Sequence, residues 1–150
     1  MRIVIQRVSQ AAVHIKGNLQ AQIGQGMLIL LGIEHDDQEE DIAWLCKKIA
    51  GLRIFSDAAG LMNLSIQDVD GEIIVVSQFT LFASTQKGNR PSFIRSARPE
   101  IAIPLYEKFV ASLQVSAVRP VKTGIFGADM QVSLLNDGPV TILIDSKQKE

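Results

Sequence analysis

The chain reads as an α+β fold in which a mostly antiparallel sheet carries two main helices. Three observations predict it. Short runs rich in Val and Ile recur at residues 3–8, 12–15, 19–23, 27–33, 73–76, 131–135 and 140–144, several of them bounded by turn residues. Two other stretches carry the 3.6-residue apolar period of amphipathic helices: Ile42, Leu45, Cys46, Ile49 and Ala50, then Ala102, Leu105, Tyr106, Phe109, Val110 and Leu113. The third observation is EIIVVSQFTLF at residues 72–82, a continuous apolar run suited to a strand covered on both faces, which then turns polar at Ser77, Gln78 and Thr80. Polar side chains directly after a buried strand lie near the interior, where they need partners or a ligand. Ser77, Gln78 and Thr80 are therefore candidate site residues; the plainer alternative is a strand that ends and turns.

In chain order, residues 3–8 form the first strand, with Ile3, Ile5 and Arg7 on one face. Two placements are open for Arg7: a snorkelling surface side chain, or a partly buried guanidinium whose rigid fork holds a carbonyl or carboxylate. Residues 12–15 and 19–23 pair as a hairpin about Lys16, Gly17 and Asn18, and a second turn leads into the buried strand 27–33. Asp36 or Asp37 caps the first helix, Glu39 and Glu40 complement its dipole, Lys47 and Lys48 lie in its last turn, and Gly51 ends it. Residues 52–55 are a short strand and 62–70 a loop. The second helix covers 99–113, with Pro104 either kinking it or marking its first turn. Residues 118–121, 131–135 and 140–144 are further strands, and the glycines of loop 123–130 permit close backbone approach. Asn136-Asp137-Gly138-Pro139 is a turn, and its Gly-Pro is a context where a cis peptide is cheap. The polar tail from residue 146 frays. Residues 1–150 form a single domain without repeat or linker.

Composition narrows the function classes. The 150 residues are 47% hydrophobic and 21% charged, a globular balance, with a formal net charge of -1. No global field draws in nucleic acid or an anionic membrane, so neither DNA nor a membrane is an expected partner, and any RNA contact falls to a local patch. Residues 83–98, ASTQKGNRPSFIRSAR, are that patch: Lys87, Arg90, Arg95 and Arg98 without an acid, and Phe93 available to stack on a base. A solvated loop is the plainer reading, but the stretch follows directly on residues 77–80. The one cysteine, Cys46, falls in the first helix's apolar stripe and reads as core; the absence of any disulfide fits a reducing, cytoplasmic setting. No apolar run is long enough to span a bilayer, and MRIVIQRV is no signal peptide. Metal ligation is not expected, because His35 beside Asp36 and Asp37 has no second histidine near it and His14 stands alone.

Four motifs, SQFTL at 77–81, KGNRPSF at 87–93, TGIFGADM at 123–130 and NDGPVT at 136–141, resemble the D-aminoacyl-tRNA deacylases, as does the start MRIVIQRV. The resemblance covers essentially the whole chain, with no departure in these motifs. It implies a barrel-like sheet and a homodimer with composite active sites and no cofactor. The implied activity is hydrolysis of the ester between a D-amino acid and the terminal adenosine of tRNA, and removal of wrongly attached glycine. The segment Ser77, Gln78, Phe79 and Thr80 would supply the catalytic face. Gly138-Pro139 would be cis and reach into the partner's pocket, where its carbonyls meet the substrate's amino group, braced by Arg7. Phe126 and Met130 would border the substrate, and Lys87, Arg90 and Arg95 would hold the tRNA. A related family, acting on L-alanine mischarged onto tRNA, uses a trans Gly-Pro and is the close enzymatic alternative.

Two mechanisms are open. Thr80 as nucleophile needs a base, and neither His14 nor His35 stands in a recognisable triad. Substrate-assisted catalysis instead uses the ribose 2′-hydroxyl, with backbone N–H groups of residues 78–80 stabilising the oxyanion; it is preferred because an aminoacyl ester is already labile. Two readings from other classes also stand. A non-catalytic RNA-binding module predicts tRNA binding without cleavage, and a structural dimer predicts that changes at Gly138 or Pro139 affect stability alone.

Overall fold

Strand β1 (Arg2–Ile15) is the axis of the sheet in a computed structural model that describes residues 1–149. Strands expected at 3–8 and 12–15 are one continuous element. Its first half pairs antiparallel with β3 (Gly26–Gly32), its second half with β2 (Asn18–Ile23), and nearly its whole length with β8 (Gln131–Asp145). The register against β8 shifts between Gln6 and Val8 and again between Val8 and Gln10. Such bulges change which face a strand presents. Ile3 and Ile5 thus enter a core beneath the helices, whereas Val8, Ala11 and Val13 enter a second core on the other side of the sheet.

The sheet is mixed. Strand β6 (Glu72–Ser77) runs parallel to β3, and β7 (Lys122–Thr123) runs parallel to β6. A parallel pair needs a crossover, and here the crossover contains α1 (Glu39–Gly51), which packs against α2 (Pro99–Ser116) on one face. That explains the unbroken apolar run of β6: Ile73 and Val75 face the helices, while Ile74 and Val76 face the second core. At the start of β3 only glycine fits, since a Cβ on Gly26 would lie 1.9 Å from the Glu72 carbonyl oxygen. The sheet curls until its ends meet. Lys122 on β7 donates to the Gln22 carbonyl on β2 at 2.6 Å and pairs with Glu72 at 3.0 Å.

Several local expectations are corrected. The cap of α1 is Gln38, whose N–H donates to the Asp41 carboxylate at 2.8 Å; Asp36 and Asp37 precede the cap. Asp37 is buried and accepts from the Met1 ammonium and, at 2.8 Å, from the Glu34 N–H. Burial holds its carboxyl above the usual aspartate range, against the ammonium's pull. Only Lys48 of the two lysines lies in the last turn of α1. Pro99 opens α2, so Pro104 lies inside that helix. Strand β4 (Phe55–Ser56) pairs with β5 (Met62–Leu64), so 52–55 is strand only at its end and 62–70 is not all loop. Residues 118–121 are not a strand; the pairing segment is the next two residues. The tail does not fray at once, because Ser146 is buried and its hydroxyl accepts from the Met1 ammonium at 2.8 Å.

Glu72 supports a stability prediction. The Gly24 N–H, at 2.7 Å, and Lys122 hold its carboxyl below the ordinary value of 4.5. A lowered carboxyl pKa adds stability above the unfolded value, and this is lost as pH falls through the folded one. Melting temperature is therefore expected to fall as pH drops below 4.5, and Glu72→Gln to flatten part of that slope in thermal melts across the acid range.

Candidate active site

The site begins where β6 runs out. Gln78 N–H donates to the Leu31 carbonyl at 2.7 Å, which ties the strand's end to β3. The chain then folds into a 3₁₀ turn, Phe79–Phe82. It lies close to β3 because Gly32 has no side chain: a Cβ there would be 3.0 Å from Leu81 Cβ and 3.1 Å from the Gln78 carbonyl oxygen. Beside this turn is a cavity of about 260 Å³, with Ser77, Gln78 and Phe79 on one wall and Phe126 and Met130 on the other. The structure thus gathers five of the sequence-derived site residues around one space. Gly127, at φ 75°, turns the loop that carries Phe126 and Met130. Tyr106 meets the Phe126 ring edge-on at 5.8 Å and donates to the Val75 carbonyl at 2.9 Å. Burial pushes the Tyr106 hydroxyl up to about 12, so it stays a neutral, structural donor.

The turn offers hydrogen-bond donors and few bases. Gln78 N–H is engaged by Leu31, whereas the N–H groups of Phe79 and Thr80 find no acceptor among the described residues. The oxyanion donors expected from 78–80 are thereby narrowed to these two. Thr80 does not line the cavity, and its hydroxyl accepts from the Gln78 side-chain amide. No histidine or carboxylate lines the cavity. Among the described residues no cluster of His, Cys, Asp and Glu has the make-up of a metal site. Cys46 is buried against the Phe109 carbonyl, and burial pushes its thiol up to about 11, which marks it as a core residue.

The basic loop joins the site through its C-terminal end. Phe93 packs edge-on against Phe79 with ring centroids 5.0 Å apart, and the Ser96 hydroxyl donates to the Phe79 carbonyl at 2.8 Å. Ala97 N–H reaches the Ile33 carbonyl at 2.9 Å. Lys87 and Arg90 are exposed on the loop. Arg95 is exposed too but is not a free cation: it pairs with Glu34 at 2.8 Å and lies over the Phe82 ring. Nothing in the sequence marks Ser96, a serine in a serine-rich loop.

Arg7, Gly138 and Pro139 are elsewhere, with none of them on the cavity wall. Arg7 is buried, donating from Nε to the Asp137 carbonyl at 2.8 Å and from Nη1 to the Ile54 carbonyl at 2.6 Å. Of its two possible placements, the buried brace is the one adopted. The expected turn at 136–139 does not reverse the chain. Gln6 faces Thr141 and Val8 faces Asn136, so both halves of β8 run along β1 and the residues between them bulge outward. Asn136 staples the base of this bulge: its side-chain oxygen accepts from Val140 N–H at 2.8 Å and its amide donates to Thr141 Oγ1 at 3.2 Å. Gly138 lies at φ 144° and the Gly138-Pro139 peptide is cis. Exposed Leu135 and Leu143 flank the bulge on β8, which pairs only with β1 among the described residues.

Comparison with known proteins places this geometry in context. The family model described as D-Tyr-tRNA(Tyr) deacylase matches residues 4–145. The D-aminoacyl-tRNA deacylase of Flavobacterium psychrophilum is 63% identical over 150 residues, covering 100% of both chains. That of Porphyromonas gingivalis is 62% identical with the same coverage. A solved structure titled "c-Myc DNA Unwinding Element Binding Protein" superposes with a TM-score of 0.91 at 39% identity, covering 97% of this chain and 98% of that one. One titled "Structural Analysis of a probable eukaryotic D-amino acid tRNA deacylase" gives 0.80 at 16% identity, over 95% and 97%, and shares the fold.

Proposed function

The chain belongs to the D-Tyr-tRNA(Tyr) deacylase family, and from that premise we propose how its site hydrolyses the ester of D-aminoacyl-tRNA. The observation that carries the reading is the pair of adjacent N–H groups at Phe79 and Thr80, without an acceptor among the described residues, in a turn whose Phe79 lines a small cavity of amino-acid size. The aminoacyl ester enters this cavity with its carbonyl oxygen toward those donors. Water attacks the ester carbon, negative charge builds on the oxygen, and the two N–H groups stabilise it in a partly dry setting. The bond from carbon to ribose oxygen breaks. The neighbouring 2′-hydroxyl passes the proton, so the products are a free D-amino acid and tRNA with its hydroxyls restored. The protein supplies position and charge stabilisation, which suffices for an ester already prone to hydrolysis.

Selectivity for D-residues needs a further contact, since an apolar pocket alone discriminates weakly between similar side chains. The Gly138-Pro139 bulge is exposed and apart from the cavity of its own chain, and exposed Leu135 and Leu143 flank it. These features support a homodimer in which each bulge enters the partner's cavity and its carbonyls accept from the substrate ammonium. With the amino group fixed, a D-side chain points outward and an L-side chain meets the wall. Glycine, lacking a side chain, also passes. Exposed Lys87 and Arg90, on a loop that Arg95 ties to Glu34, support contact with the tRNA acceptor end. A tRNA substrate supports a cytoplasmic location, beside the translation machinery.

Hydrolysis of matched D- and L-tyrosyl-tRNA tests the activity. Thr80→Ala tests the mechanism: its turnover is expected to stay within about tenfold of the unaltered protein, since losing a covalent nucleophile costs orders of magnitude more. A trapped acyl group on Thr80 would contradict it.

A further inference from the structure

We propose that Ser96 is a positioning residue for hydrolysis, acting through the peptide between Phe79 and Thr80; this rests on the reading of that peptide as an oxyanion donor. In a trans peptide the carbonyl and the following N–H point in opposite directions along one rigid plane. The Ser96 hydroxyl holds the Phe79 carbonyl at 2.8 Å. It thereby sets the direction of the Thr80 N–H, the other end of the same plane, which has no acceptor among the described residues. The turn needs such a brace. A single 3₁₀ turn has poor internal hydrogen-bond geometry, and Phe79 itself is 57% exposed, so packing alone does not fix the plane.

The brace is anchored on both sides. Ser96 N–H donates to the Phe93 carbonyl at 3.0 Å, and the Phe93 ring packs on the Phe79 ring. Arg95 is tied to Glu34, and Ala97 to the Ile33 carbonyl beyond the end of β3. The segment bearing Ser96 is also the C-terminal arm of the loop that carries Lys87 and Arg90. Ser96 thus connects the loop facing the nucleic acid to the donor that stabilises the oxyanion, without touching the substrate.

Steady-state hydrolysis of D-tyrosyl-tRNA by the full chain tests this, with Ser96→Ala and Ser96→Thr measured beside the unaltered protein and thermal melts run on all three. Ser96→Ala is expected to lower kcat about 10- to 100-fold, the range that misplacement of a catalytic group costs, with KM little changed. Ser96→Thr, which keeps the hydroxyl, recovers most of the rate. The melts are expected to coincide within a few degrees, because the bond is at the surface. A kcat for Ser96→Ala near that of the unaltered protein, a loss confined to KM, or equal impairment of both variants would overturn the proposal. So would a rate loss that merely tracks a large drop in melting temperature. An unaltered protein that leaves D-tyrosyl-tRNA intact would instead overturn the underlying reading of the site, and this inference with it.

Discussion

Gly138→Ala is expected to lower D-aminoacyl-tRNA hydrolysis about 100-fold, the scale on which misplacement of a substrate-positioning group acts, while the fold survives. Gly138 lies at φ 144°, a region that L side chains rarely adopt. A Cβ there would stand 2.8 Å from Val140 Cγ2, 2.9 Å from Val140 N and 3.1 Å from Arg7 Nη2. The bulge must shift, and it shifts against its own brace. Because it is exposed and stapled at its base by Asn136, the distortion stays local and thermal melts are expected to move by a few degrees at most. The composite-site proposal then makes a sharper demand. Phe79→Pro removes one oxyanion donor and is expected to be inactive, yet mixing it with Gly138→Ala should restore activity. Random reassortment of two-fold dimers gives about half mixed dimers, each with one unaltered site, and so about a quarter of the original rate. No recovery after verified subunit exchange would place the bulge and the turn in the same subunit's site or in none.

Arg7→Ala is expected to cost about 3 kcal/mol of stability in addition to activity, from two charge-assisted hydrogen bonds and one carbonyl left buried without a partner. Arg7 is 8% exposed, and its guanidinium joins two segments distant in sequence, through the Ile54 and Asp137 carbonyls. Viewed only as the bulge's brace, Arg7 would be dispensable to the fold. The Ile54 contact makes it part of the core. Urea denaturation at unchanged m-value measures the loss. Arg7→Lys should recover only part of it, because one ammonium cannot span both carbonyls as the planar fork does. Stability equal to the unaltered protein would show that water replaces these bonds.

Periodicity made the helices and buried strands legible. Ile42, Leu45 and Ile49 on α1 and Ile73 to Val76 on β6 are buried as their spacing implies. The polar residues at the end of β6 were legible too, because Ser77 and Gln78 interrupt an apolar run, and they do line the cavity. Long-range pairing was not. Whether residues 136–139 reverse the chain or bulge from one strand depends on their partner β1, and Gln6 and Val8 carry no local sign of that register. Asp37 resembles a helix cap in sequence because capping is local, yet its partner is the ammonium of Met1. Arg95 looked like a free cation until the fold brought Glu34 beside it. Ser96 acts only through a carbonyl 17 positions away in the chain.

The measurement that tests the account most directly is the ratio of hydrolysis rates for D- and L-tyrosyl-tRNA, prepared on the same tRNA and assayed with the same protein. A site that clamps the amino group and leaves the side chain free predicts rapid loss of the D-ester and an L-ester that decays no faster than in buffer alone. Equal rates on the two esters would contradict the chiral clamp, and an intact D-ester would contradict the deacylase site itself.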